Sequence, residues 1–275
     1  MQFQILLGAA LSATTIVAAP TWPQVNVNAA MTDGIETVSE YFNMLASKVE
    51  AGKLMKAAPV CDLSKAQMPL APTPMAGPAA GLILKHVAIG RGTQNYTCDT
   101  TNSTAVPAAA GALATLFDAS CLASAYPDLL HMLPKLALRF DLPLPAATTA
   151  DDDEDDGVAQ RMGPADLAVS GTHYFTDDMT PFFNLDTSRA ALGEAGCTKE
   201  EATPAPADAP AGQGDEPAVA WLRLSTLDGA TGGLREVWRV ETAGGSPPES
   251  CQGMPAAFEV QYAAEYWFYE GVPES

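Results

Sequence analysis

The most regular hydrophobic pattern of the chain lies near its C-terminal end. Apolar side chains occupy every second position from Phe258 to Phe268, and Glu259, Gln261 and Glu265 are among the residues between them. Alternation with a period of two is typical of a β-strand that buries one face. The pattern therefore predicts a long strand with one face in the core.

Seven further apolar segments, separated by turn-forming residues, also predict strands. Eight strands with few helices predict a mainly-β single domain, either a sandwich or a barrel. Between the first two segments, Gly90-Arg91-Gly92 predicts a tight turn, because glycine adopts backbone angles that other residues avoid. The segments are 82–89, 93–98, 108–119, 171–176, 181–185, 218–226 and 233–242, of which 108–119 also fits a helix.

Helical patterns are few. Apolar residues spaced by three and four predict an N-terminal helix over 34–51, and 128–136 predicts a short second one. We therefore divide the chain into an N-terminal helix with a Pro-rich extended segment (20–80) and a β-rich domain (81–272). Within that domain, the acidic stretch 145–165 and the Pro/Ala-rich stretch 193–217 predict flexible insertions.

The first nineteen residues predict export. Residues 5–19 are uniformly apolar or small, as in the central region of a signal peptide, and small side chains at 17–19 suit cleavage beside Ala19. A run of this length is too short to cross a bilayer comfortably. Residues 1–19 are therefore predicted to be a signal peptide, and the protein is predicted to be secreted.

Cysteines and sequons extend this prediction. The chain has five cysteines and no CxxC pair, so disulfides are expected in an exported protein, with fifteen two-bridge arrangements open. Asn95-Tyr96-Thr97 and Asn102-Ser103-Thr104 are glycosylation sequons. Asn102 lies in a polar loop and is the better acceptor, because Asn95 lies within a predicted strand.

The net charge of the chain limits the classes of partner that it can bind. The formal net charge is −19, of which the six acids at 151–156 account for only a part. A surface of this sign repels phosphate backbones and anionic lipids, which disfavours nucleic acids and membranes as partners. The acidic run lacks the spaced ligands and turn glycine of a calcium loop, so no metal site is predicted.

Several blocks of the sequence resemble one protein family. The most specific is KHVAIGRGTQNYTC at 85–98, and the others are 116–121, 171–175, 220–222, 242–245 and 260–269. Together they resemble the secreted fungal proteins that carry the domain of unknown function 3455, some of which are labelled malate dehydrogenase by transfer. The resemblance covers about residues 80–270. It implies an extracellular location and a β-rich fold, and it implies no reaction.

The resemblance also implies a disulfide pairing. It favours bridges Cys98–Cys251 and Cys61–Cys121. Cys197 and the two predicted insertions depart from the family pattern, which makes Cys197 the unpaired thiol.

The dehydrogenase label is not supported by the sequence. A dinucleotide fingerprint needs three glycines between a strand and a helix. Gly90 and Gly92 supply two, Asn95 stands at the third position, and a strand pattern follows. No nicotinamide or other cofactor is therefore predicted.

Histidines are the remaining candidates for chemistry. His86 shares a predicted strand face with apolar residues, which favours a hydrogen-bonded core histidine. His173, followed by Asp177 and Asp178, is the better candidate for a ligand or an acid–base group. No nucleophile elbow is present, and Trp221, Trp238 and Trp267 lie in predicted strands as core residues.

Two polar groups are candidates for a ligand site. If their strands are adjacent, they would form a pocket for a small polar ligand. The leading interpretation is a secreted, non-catalytic protein that binds such a ligand or an extracellular partner. The alternative is a secreted hydrolase-like enzyme that uses His173 with Asp177 or Asp178. The candidate residues are Arg91, Gln94 and Asn95 in one group and His173, Tyr174 and Asp177 in the other.

Overall fold

A computed structural model describes residues 27–53, 61–71, 73–139, 161–162, 165–177 and 179–272. The predicted signal peptide and the acidic run at 151–156 lie outside these residues. The helices are α1 (Val27–Lys53), a 3₁₀ turn (Leu63–Lys65), α2 (Ser120–Ala125) and α3 (Pro127–Ala137). The strands are β1 (Leu82–Thr97), β2 (Ala108–Asp118), β3 (Arg161–Met162), β4 (Leu167–Phe175), β5 (Pro181–Asp186), β6 (Ala191–Thr203), β7 (Trp221–Thr226), β8 (Leu234–Gly244) and β9 (Ala257–Gly271).

Eight of the strands close into an antiparallel barrel. From β4 to β9 each strand pairs with the next, β9 then pairs with β1, β1 with β2, and β2 with β4. The short strand β3 pairs only with the start of β4. The prediction of a mainly-β single domain is confirmed, and the closed pairing selects the barrel over the sandwich.

The predicted turn at 90–92 is wrong, because β1 runs unbroken from Leu82 to Thr97. Gly90 and Gly92 permit close packing within the strand, and neither forms a turn. A Cβ on Gly90 would lie 2.4 Å from Cε2 of Tyr266, and a Cβ on Gly92 would lie 1.9 Å from the Leu113 carbonyl oxygen. Both positions are therefore closed to any larger side chain.

The insertion predicted at 193–217 is also wrong for its first part, where β6 forms. Gly193, Ala195 and Cys197 are buried and alternate with exposed or half-buried residues, and Ala195 and Cys197 belong to the inner core. Their side chains are so small that the alternation gives little hydrophobic signal. The irregular segment begins after Thr203, where the prolines begin.

The barrel has two apolar cores, one on each side of its wall. The inner core contains Tyr266, Phe268 and Phe183, and the outer core contains Trp238 and Trp267. Helices α2 and α3 cover the outer surface of β1, β8 and β9, and α1 packs against α3. The prediction that the last strand buries only one face is therefore wrong, since the helices bury its second face as well.

Both predicted disulfides are present. Cys98 is bonded to Cys251 and Cys61 to Cys121, and the remaining cysteine, Cys197, is a buried free thiol. The first bridge joins the end of β1 to the loop before β9, and the second ties the Pro-rich segment to α2. Each helix in the described part of the chain is too short or too polar to span a lipid bilayer.

Candidate functional site

Four of the six predicted ligand residues do not converge. Arg91 lies on the outer face of β1, where its Nε donates to the Ala137 carbonyl at the end of α3 (3.1 Å). The Asn95 amide oxygen accepts a hydrogen bond from the neighbouring Thr93 hydroxyl (3.2 Å). Tyr174 packs on Phe182. These side chains and Asp177 serve separate parts of the structure.

Asp177 has a local role at the β4–β5 turn. Its Oδ1 accepts from the backbone amides of Met179 (2.9 Å) and Thr180 (2.6 Å). These bonds hold the pKa of the exposed carboxyl below its ordinary value. The structure gives no hydrogen bond between Asp177 and His173, and Asp178 lies outside the described residues. The Asp177 version of the hydrolase alternative therefore has no structural support.

His173 lies inside the barrel. Its ring stacks on Phe183 with centroids 4.2 Å apart, and its Nδ1 is 2.9 Å from the carbonyl oxygen of Phe182. Burial is the main reason that the pKa of His173 falls to about 4. The imidazole is therefore neutral at physiological pH, with Nδ1–H as donor and Nε2 as an acceptor.

His86 is the hydrogen-bonded core histidine that the strand pattern predicts. Its Nε2 is 2.9 Å from the Ser170 hydroxyl and its Nδ1 is 2.9 Å from the Ser120 hydroxyl. Burial lowers its pKa, although nearby Asp118 opposes the shift. His86 thus links β1 to β4 and α2 in its neutral form.

The sequence analysis missed Arg239, a cation in the barrel interior. Arg239 lies on β8 opposite Tyr266 of β9, and only 9% of its surface is exposed. Its Nε and Nη2 donate to the Ala220 carbonyl (3.2 and 3.0 Å), and its Nη1 donates to Oε1 of Gln94 (3.5 Å). None of the carboxylates in the described ranges forms an ion pair with it. Arg239 is two residues from Val237, an inward position, but Arg235 has the same spacing, so the period of two does not single out Arg239.

Gln94, Tyr262, Tyr266 and His173 surround this cation. The two tyrosine hydroxyls are 2.9 Å apart, and the His173 ring centroid is 5.7 Å from that of Tyr266. The Gln94 amide nitrogen is buried, and within the described part of the chain it meets no acceptor in hydrogen-bonding geometry. Burial raises the pKa of both tyrosines, so they stay neutral donors. We call Gln94, His173, Arg239, Tyr262 and Tyr266 the inner polar cluster.

Two chain segments pair with each other beside the inner polar cluster. Val219 donates its amide to the Gly244 carbonyl (3.0 Å), and the Thr242 hydroxyl donates to the Val219 carbonyl (2.6 Å). The Tyr96 hydroxyl donates to the Gly245 carbonyl (2.8 Å). Residues 217–219 and 244–246 therefore continue the β7–β8 part of the barrel wall at this end.

The chemistry available in the inner polar cluster is recognition of negative charge. A guanidinium, an unpaired amide N–H and two phenols are all donors, and the neutral imidazole adds an acceptor. Among the described residues, no group of three or more His, Cys, Asp or Glu side chains is placed to hold a metal ion.

Comparison with known proteins gives one result. Residues 78–270 match the family described as protein of unknown function (DUF3455). No curated protein and no solved structure matches the chain significantly. The match covers well over half of the 275 residues and confirms the domain that the sequence blocks resemble, while fungal origin and secretion stay expectations. The chain belongs to the DUF3455 family of proteins of unknown function.

Proposed function

We propose that the protein is a secreted, non-catalytic binding protein that holds a small organic acid inside its barrel. The observation that carries this proposal is the Arg239 guanidinium, buried in the interior without a carboxylate partner among the described residues. A buried charge is costly unless it is paired. A carboxylate ligand would supply the missing countercharge.

The inner polar cluster suits a carboxylate in its geometry as well as its charge. A guanidinium binds a carboxylate through two parallel N–H donors. The unpaired amide nitrogen of Gln94 would donate to the same ligand, and the hydroxyls of Tyr262 and Tyr266 would orient it. Eight-stranded barrels have interiors that either fill with side chains or hold one small ligand.

The charge of the whole protein limits the size of the ligand. A net charge of −19 repels polyanions, so the expected ligand carries one or two carboxylates. Arg239 also donates to the Ala220 carbonyl, directly before β7. The incoming carboxylate would compete with the Ala220 carbonyl for these donors, so that binding is coupled to release of that carbonyl.

We expect small carboxylates to raise the melting temperature, because a ligand that binds only the folded state stabilises it. The probes are acetate, succinate, benzoate, inorganic phosphate and glucose, measured by thermal shift at constant ionic strength. Arg239→Gln should abolish the rise. Arg235→Gln, which removes an exposed arginine of the same strand, should retain it. A flat response to every acid, or an unchanged response in Arg239→Gln, would refute the proposal.

We also propose that the secreted protein carries an N-linked glycan at Asn102. Asn102 is exposed in a turn, where its Oδ1 accepts from the Thr104 hydroxyl (2.8 Å). Asn95 is paired with Glu259 between β1 and β9, where a glycosylating enzyme has poor access.

Expression in a eukaryotic secretory host should add one glycan, removable by an N-glycosidase. Thr104→Ala should remove the mass of that glycan, and Thr97→Ala should leave the mass unchanged. Intact-protein mass spectrometry makes the comparison. A full glycan mass in Thr104→Ala would contradict the assignment to Asn102.

A further inference from the structure

A second buried charged group lies on the outside of the barrel, beneath α3. Glu265 of β9 is fully buried, and its two carboxylate oxygens have different partners. Oε1 is 2.7 Å from Nδ1 of His131 on α3, and Oε2 accepts from Nε1 of Trp267 (2.9 Å). Since His131 belongs to the helix and Glu265 to the sheet, this pair joins the two layers.

The neighbouring strand carries the same arrangement with a different cation. On β8, the Trp238 indole donates to Oε2 of Glu236 (3.0 Å), as Trp267 does to Glu265. Trp238 and Trp267 are cross-strand partners in the register. The cation at Glu236 is Arg223, whose Nη1 lies 3.4 Å from Oε1. The two units therefore differ in that arginine stays charged, whereas histidine titrates near neutral pH.

The other charged groups around His131 are mostly acidic. Asp128 of α3 is paired with Lys48 of α1, Glu241 lies on β8, and Asp208 lies in the loop after β6. On β1 the residue opposite Glu265 is Ile89, and the next outward residue, Arg91, binds the carbonyl at the end of α3. The surroundings thus favour a protonated His131.

Glu241 strengthens this effect. It occupies an irregular point of the β8–β9 pairing, with a positive φ of 45° that is unusual for a residue other than glycine. Its carboxylate forms no hydrogen bond or ion pair with another described residue. Burial, followed by repulsion from Glu265, raises the pKa of Glu241 to about 7.

We propose that His131 and Glu265 form a pH-sensitive latch, which fastens α3 to the barrel in acidic surroundings and loosens it above neutral pH. In acid, the imidazolium neutralises the buried Glu265 carboxylate, and Glu241 is uncharged. Above neutral pH, His131 loses its proton and Glu241 ionises. Two negative charges then face each other, and the buried one has lost its counter-ion.

The direction of the pH dependence follows from the two groups. The hydrogen bond to Glu265 raises the pKa of His131. The stabilisation that protonated His131 provides is complete below the ordinary histidine pKa of about 6.5. It is lost as pH rises through the raised pKa. Glu241 acts in the same direction, because its pKa is also raised in the folded state. Its contribution to stability is present below the ordinary glutamate pKa and is lost as pH rises through about 7.

The whole-protein stability does not isolate the latch, because two other histidines act in the opposite direction. Burial lowers the pKa of His86 and His173. Their contribution is present above the ordinary histidine value and is lost as pH falls toward the lowered values. The test therefore needs a local signal from the latch itself.

The indole N–H resonances of Trp267 and Trp238 give that signal, since each reports on its own glutamate. In proton–nitrogen NMR spectra of the full secreted protein from pH 5 to 8.5, we expect the Trp267 signal to titrate and the Trp238 signal to stay in place. His131→Arg, which gives β9 the permanent cation that β8 has, should flatten the Trp267 titration.

Hydrogen exchange then tests whether α3 loosens. At pH 8, the amides of 129–137 should exchange several-fold faster in the natural protein than in His131→Arg, and at pH 5.5 the two should agree. Comparison at one pH cancels the intrinsic pH dependence of exchange. The latch is refuted if Trp267 and Trp238 behave alike in the natural protein, a result that needs no variant. It is also refuted if Trp267 still titrates in His131→Arg, or if exchange at pH 8 is equal in both proteins.

Discussion

Replacing Cys98 and Cys251 together by alanine is expected to lower the free energy of unfolding by about 5 kcal/mol. The two cysteines are 153 residues apart in sequence, so the bridge removes a large loop-closure entropy from the unfolded chain. It also holds the end of β1 beside the start of β9, two strands that pair along nearly their whole length. The measurement is guanidinium denaturation followed by tryptophan fluorescence.

The other cysteines provide graded controls. The Cys61–Cys121 bridge spans 60 residues, so the same entropic argument gives a loss of about 4 kcal/mol for its double alanine variant. Cys197→Ala removes only a buried free thiol and should cost about 1 kcal/mol. A loss for the Cys98/Cys251 variant no greater than that for Cys197→Ala would show that the bridge does not constrain the unfolded state.

Gly92→Ala is expected to destabilise the domain by about 3 kcal/mol, a typical cost for forcing atoms into a packed site. The added methyl would lie 1.9 Å from the Leu113 carbonyl oxygen and 2.6 Å from Cα of Ala114. Both atoms belong to the backbone of β2, so relief requires the two strands to separate. For a domain of this size the loss corresponds to a fall in melting temperature of roughly 6–12 °C.

Gly77→Ala is the matched control, because a Cβ on Gly77 meets nothing within 4 Å. Its melting temperature should equal or slightly exceed that of the natural protein, since alanine restricts the unfolded chain. Equal melting temperatures for the Gly92 and Gly77 variants would contradict the packing role of Gly92. The comparison also separates strand packing from the turn that the sequence pattern suggested at this position.

The sequence predicted those parts of the inner polar cluster that have a local signal. Gln94 and His173 were candidates because each lies among other polar residues that are close in sequence. Arg239 was missed because Arg235 and Arg239 occur on the same strand, and the sequence does not show which of them points inward. Arg91, Asn95, Tyr174 and Asp177 were chosen for their closeness in sequence, but neighbouring residues of a strand point to opposite faces.

Glu265, the second buried charge, also could not be recognised from the local sequence. The period of two assigns Glu265 to the outer face of its strand. An acidic residue on that face is predicted to be exposed to solvent. Glu265 is buried because α3, more than a hundred residues earlier in the chain, packs over that face. The pairing of His131 with Glu265 is a consequence of that long-range contact, and no local pattern contains it.

The sequence by itself determined the β-rich class, most strand positions and the position of α3, because alternation and helical spacing are local consequences of burying one face. Resemblance to relatives supplied the disulfide pairing. Only the tertiary structure decided that β2 meets β4 to close a barrel, that Gly90 and Gly92 serve close packing, and that Gly193, Ala195 and Cys197 belong to a strand. Those features depend on which strand lies beside which, and that choice is made by packing between residues distant in sequence.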